Sequence, residues 1–296
     1  MTRITKERMI GVLGPAPRPK TVWEKQFDYG DVQLQELARR DWDDVPDKAL
    51  WFYLHDLSYV HLQPDLFRYL FPACLKFWYD TLMRHEGASQ GDAELHYALL
   101  HGDIMTKMMT EPERKRLLSF FVDGFIDRTD RDRGFDYVRP GIVWNAWIGR
   151  FNTLGIVAPI IPEIWRTWWS LDTPGRCVSA IKYASGLVYF SGENPIYQPW
   201  TCKDGGGGPY LTESDAGIFD RGWLEANLAF LQQTLTSDYI AERVSAAAAN
   251  LSDEPEGGMA REIAADAQAR LDVIALRIEA LLANLAKAKL SMDHWE

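Results

Sequence analysis

Apolar residues recur along most of this chain at the three- and four-residue spacing of one helical face. An irregular stretch comes first, through residue 30, with Pro15, Pro17 and Pro19 in quick succession. Asp47 then precedes Trp51, Leu54 and His55, and Pro46 stands where a first helical turn tolerates proline. From Gln63 the series Leu66, Leu70, Cys74, Phe77, Trp78 and Leu82 predicts an amphipathic helix that opens near Pro64 and kinks at Pro72. Further helices are predicted over 92–101 and from Glu111 to about Asp127, the second with Leu117, Leu118, Phe121 and Phe125 on one face. Its tail, DRTDRDR at 127–133, alternates in charge sign and predicts a solvated helix end or loop.

Trp144, Trp147, Trp165, Trp168 and Trp169 fall at roughly helical spacing around a proline-containing turn, which favours core packing over ligand stacking. Asp172-Thr173-Pro174 is a helix start, a capping side chain followed by an early proline. Residues 186–220 break the pattern. Leu187–Phe190 is a short β-prone run, the prolines of Pro195–Trp200 extend the chain, and Gly205–Gly208 interrupts regular structure. Helices return from Trp223 to about Asn250, and Asp253–Gly258 is the best linker candidate. From Met259 to about Leu290 helix formers dominate. Leu271, Ile274, Ile278, Leu281, Leu285 and Ala288 form a seam at coiled-coil spacing, suited either to packing on the chain's own domain or to a homodimer through this C-terminal helix.

The pattern predicts a mainly α protein: a helical bundle-like globule with a loop-rich insertion at 186–220 able to hold a small β-hairpin. Its parts are an irregular arm (1–30), a main helical domain (31–252) and a C-terminal long helix (259–290).

Composition sharpens this picture in three ways. The net charge of −10 repels phosphate backbones, so no nucleic-acid partner is expected and a basic protein partner is favoured. The first 25 residues run the other way, with Arg3, Lys6, Arg8, Arg18, Lys20 and Lys25, as in a solvated or docking tail. Three cysteines, Cys74, Cys177 and Cys202, without CxxC spacing point to a reducing compartment, and no apolar run is long enough for a membrane. A cytoplasmic location is the expectation.

Candidate chemistry is sparse. His85, Glu86, His96, His101 and Asp103 lie close in sequence, but the spacing of His96 and His101 turns their rings apart, and there is no HExxH; surface or capping roles are expected, with no metal or cofactor. Gly205–Gly208 lacks the Lys-Ser/Thr that would make it a phosphate loop, and no GxSxG elbow is present. Tyr197, Trp200, Lys203, Gly205 and Gly208 could instead line a cleft for a small polar molecule. The feature that stands out is Asp41, Asp43, Asp44 and Asp47 around Trp42. Acids beside an aromatic suit a basic protein surface, the charge setting on-rate and the ring anchoring. The same residues suit the first turn of a helix, where carboxylates complement the dipole.

His61–Tyr79, HLQPDLFRYLFPACLKFWY, following that acidic stretch, resembles a pattern in uncharacterised bacterial proteins that share a domain of unknown function: an acidic lead-in, then a helix with Pro, an aromatic, Arg-Tyr and Leu-Pro-Ala. Phe71 stands where that pattern has an aliphatic residue. The resemblance covers residues 40–125 and implies a bacterial origin and a helical core, with no reaction and no catalytic residue. The leading functional expectation is a protein-binding role, an immunity or antitoxin-like protein that neutralises a basic toxin. An enzyme acting near 197–208 and a scaffold dimerising through the C-terminal helix are the alternatives.

Overall fold

A computed structural model describes residues 4–26, 30–57, 60–84, 95–96, 98–100, 104–135, 147, 150–151, 154–190, 193–196 and 223–287. The protein is mainly α-helical, and among the described residues there is no strand. The chain divides into two compact units, residues 1–85 with 89–125, and residues 86–88 with 126–296.

The first unit contains α1 (Lys6–Leu13), α2 (Gly30–Arg39), a 3-10 turn (Trp42–Asp44), α3 (Asp47–Asp56), α4 (Pro64–Met83), α5 (Ile104–Lys107) and the larger part of α6 (Glu111–Asp130). Its core is α4. The apolar series read from the sequence, Leu66, Leu70, Cys74, Phe77, Trp78 and Leu82, is buried, and Phe71 and Leu75 are buried with it. Pro64 opens the helix, and Pro72 lies inside it without ending it. Met9, Val12 and Leu13 bury α1 against α4, so the basic arm is part of the core rather than a tail. Helix α6 meets α4 at Gly124, which faces the Trp78 ring: a Cβ there would lie 2.7 Å from the indole.

His96 also belongs to this core. It is buried, and its Nε2 accepts a hydrogen bond from Trp78 Nε1 at 2.9 Å, between the rings of Trp78 and Phe121. Burial pushes its pKa down to about 3, so it stays neutral. The surface or capping role expected of His96 is therefore corrected: the ring serves as an apolar-faced acceptor for an indole that needs one. His85, His101 and Asp103 lie outside the described residues.

The second unit contains the end of α6, α7 (Ile161–Trp168), α8 (Pro174–Val188), α9 (Glu225–Thr234), α10 (Ser237–Asn250), α11 (Gly257–Ala269) and α12 (Leu271–Lys287). Helix α8 is its axis, buried from Gly175 to Val188 and packed on α10, α11 and α12. The start signal in the sequence works as read: Thr173 Oγ1 accepts from Arg176 N at 3.2 Å and Pro174 occupies the first turn. Trp147, Trp165, Trp168 and Trp169 are buried and pack around Phe151 and Tyr183. Asn227 closes the turn before α7, its Nδ2 donating to the carbonyls of Gly155 (2.9 Å) and Ala158 (2.7 Å) while Oδ1 accepts from Ile161 N (3.3 Å).

Three expectations change here. Gly186, Leu187 and Val188 finish a buried helix rather than begin a β-prone run, because a short apolar run fits a buried helix as well as a strand. Residues 191–192 and 197–220, the remainder of the expected insertion, lie outside the described residues. Within the expected linker Asp253–Gly258, residues 253–256 belong to a tight turn between α10 and α11 and Gly257 and Gly258 already belong to α11, Gly257 seated against the Leu251 carbonyl where a side chain would clash. The C-terminal helical stretch is two helices, α11 and α12, broken at Arg270. On α12, Ile274, Ile278, Leu281 and Leu285 are buried within the unit, against α9, α10 and α8.

Candidate functional site

The acidic stretch forms an irregular shoulder that leads into α3. Trp42, Asp43 and Asp44 make the 3-10 turn, and Asp47 begins the helix. Three of the four acids meet cations of the first unit: Asp43 pairs with Lys6, Asp41 with Arg18 at 2.9 Å, and Asp47 with Arg84. Two of those cations come from the basic arm. All three pairs are solvent-exposed, where an ion pair contributes about 0–1 kcal/mol and can be exchanged for another partner. Asp44 is exposed and has no ion pair among the described residues. Trp42 is half-buried.

Helix α3 continues this surface with aromatic rings. Leu50, Tyr53, Leu54 and Asp56 face inward. Phe52 is 41 % exposed, His55 is exposed, and Trp51 is half-buried. Trp51 stacks on His55 with ring centroids 5.5 Å apart and meets the edge of Phe52 at 4.9 Å. Asp47 and Trp51 are one turn apart on the same helix, so carboxylate and indole share a face. The signal for this face was present in the sequence: Leu50, Tyr53, Leu54 and Leu57 complete an inward stripe without Trp51, Phe52 or His55.

A second constellation in the first unit surrounds Gln63. Its Oε1 accepts from the backbone of Trp23 (2.8 Å) and Glu24 (3.2 Å), and its Nε2 donates to Thr21 O and Asp65 Oδ1, each at 2.8 Å. The Gln63 N–H donates to Glu24 Oε2 at 2.6 Å. Burial pushes Glu24 up to about 7 against these donors, and nearby Asp56 raises it further. This network presents Trp23, 49 % exposed, beside the His61 ring at 5.6 Å.

The second unit holds a buried charge network that the sequence pattern placed in solvent. Arg128, Thr129 and Asp132, within the DRTDRDR tail, are buried. Asp132 Oδ1 takes Lys182 Nζ at 2.9 Å and lies 3.4 Å from Arg128 Nη1, and Oδ2 accepts from Trp147 Nε1 at 3.3 Å. The Arg128 guanidinium lies over the Trp147 ring, 5.4 Å from its centroid. Nearby, Arg176 grips Asp130 through Nε (2.7 Å) and Nη2 (3.3 Å). Burial lowers the Lys182 pKa and Asp132 opposes the shift. An amine held this way inside a core helix fixes the register of α8 on the segment that follows α6; nothing in the arrangement offers it to a substrate. The readable signal was the continuing period: Phe121, Phe125 and Arg128 share one stripe of α6, and Asp132 stands at the next position of that spacing just beyond the helix.

Tyr197, Trp200, Lys203, Gly205 and Gly208, the expected ligand cleft, lie outside the described residues. Among the described residues no cluster of three or more His, Cys, Asp or Glu could hold a metal ion, and no helix is long and apolar enough to cross a membrane. No protein-family model matches the chain, and neither the curated proteins nor the solved structures contain a significant match to it.

Proposed function

We propose that the chain is a protein-binding protein whose first unit receives a basic partner on the surface formed by Trp42, Asp43, Asp44 and the outer face of α3. The observation that carries this reading is the aromatic face of α3 directly beyond four carboxylates, with Phe52 and His55 exposed and Trp51 half-buried between them. A hydrophobic anchor within an acidic surround is how interfaces combine adhesion with steering. Asp44 supplies uncommitted negative charge, while the arm cations on Asp41 and Asp43 can give way to stronger cations on a partner. The overall charge of −10 adds long-range attraction of the same sign. An immunity or antitoxin-like role, covering a basic toxin surface that would otherwise meet phosphate, is the specific form of this proposal.

The test is capture from the native host at low salt with the intact chain and with two variants, Phe52→Ala and Asp44→Lys. The expected result is a stoichiometric basic protein that salt releases and that both variants lose. Capture that resists salt and is equal in all three proteins contradicts the reading.

A further inference from the structure

Helices α1 and α6 of the first unit form a cleft of about 340 Å³ lined by Arg8, Gly11, Val12, Lys115, Arg116 and Ser119. Three cationic side chains and a hydroxyl converge on it in a protein whose net charge is −10. Two of the cations are held in place by hydrogen bonds. Arg116 Nε donates to the Val12 carbonyl at 2.9 Å, which fixes the guanidinium while its Nη groups meet no partner among the described residues. Arg8 Nη2 donates to Ser119 Oγ at 3.2 Å and pairs with Asp123. Lys115 is exposed and sits 3.6 Å from Glu111, a long surface contact. Asp123 and Glu111 thus offset Arg8 and Lys115, and among the described residues Arg116 has no carboxylate partner.

We infer that this cleft binds the phosphate group of a small phosphorylated molecule. A planar guanidinium held in this way presents the fork that a tetrahedral oxyanion accepts in two bonds. Lys115 adds a point charge, and the Ser119 hydroxyl, which accepts from Arg8 and donates to Asp123 Oδ2 at 3.5 Å, exchanges that long contact for a third phosphate oxygen. A carboxylate ligand fills one fork and leaves the remaining donors unmatched. The volume lies at the lower end of the range for small-molecule sites, which suits a compact metabolite. Gly11 leaves room for the rest of that molecule, since a Cβ built there meets no atom within 4 Å. The site is independent of the surface on α3, and either can hold without the other.

Titration calorimetry of the full chain with pyrophosphate, at constant ionic strength, tests the inference. Saturable binding at one site is expected, weakened about tenfold by Arg116→Gln through loss of a charge-assisted pair. Gly11→Leu is expected to abolish binding by filling the cleft, with the helical circular dichroism and melting temperature retained, and acetate is expected not to compete. Absence of saturable heat, equal binding in Gly11→Leu, or equal competition by acetate overturns the assignment. Should Arg116→Gln disturb folding, Gly11→Leu decides alone.

Discussion

Glu24 keeps its carboxyl out of water, and through its proton pH acts on the stability of the first unit. The folded chain retains that proton up to about pH 7, whereas the unfolded chain releases it near the ordinary value of 4.5. Between those values the native state binds more protons, so this contribution is full below 4.5 and is lost as pH rises through 7. The size is about 3 kcal/mol at most. His96, held neutral in the core, acts in the opposite sense in both proteins, so urea unfolding from about pH 5 to about pH 8 is expected to show the wild type losing stability relative to Glu24→Gln as pH rises. Parallel curves for the two proteins would contradict this assignment. Gly124 gives a second residue-scale test. Alanine gains about 1 kcal/mol in helix propensity over glycine, but a Cβ at 2.7 Å from a fully buried indole forces overpacking that costs about 1–3 kcal/mol. Gly124→Ala is therefore expected to lower the denaturation midpoint, and a raised midpoint would mean that Trp78 shifts freely.

Elements were legible where a pattern had one physical meaning. The α4 stripe, the Thr173-Pro174 start of α8 and the Trp-rich core all follow from spacing and capping that tertiary structure did not override. Charge was the misleading signal. DRTDRDR reads as solvated because isolated charges avoid the interior, yet Asp132 enters it together with Lys182, Arg128 and Trp147. Pairing of residues fifty positions apart is not readable from either segment alone. The candidate surface shows the same limit in reverse: Asp41–Asp47 was visible as an acidic run, but its pairing with Lys6, Arg18 and Arg84 and the outward turn of Phe52 required the packing of α1, α3 and α4. The buried network predicts that Lys182→Met costs about 3 kcal/mol, the lower end for breaking a buried pair, because Arg128 still faces Asp132. A loss below about 1 kcal/mol in equilibrium unfolding would show that the pair adds specificity rather than stability.

At the scale of the whole molecule, an acidic chain concentrates exposed aromatic surface next to carboxylates on the first unit, while the arginine and lysine residues of α1 and α6 gather around a separate cleft. The two surfaces call for opposite ligands, and the acidic one carries the central claim. Its most direct test is the association rate of the captured partner with purified chain, measured across ionic strength for the wild type and Asp44→Lys. Electrostatic docking predicts a wild-type rate that falls steeply as salt rises, and an Asp44→Lys rate that is slower at low salt and depends less on it. Identical rates for the two proteins, unchanged by salt, would contradict a basic partner at this surface.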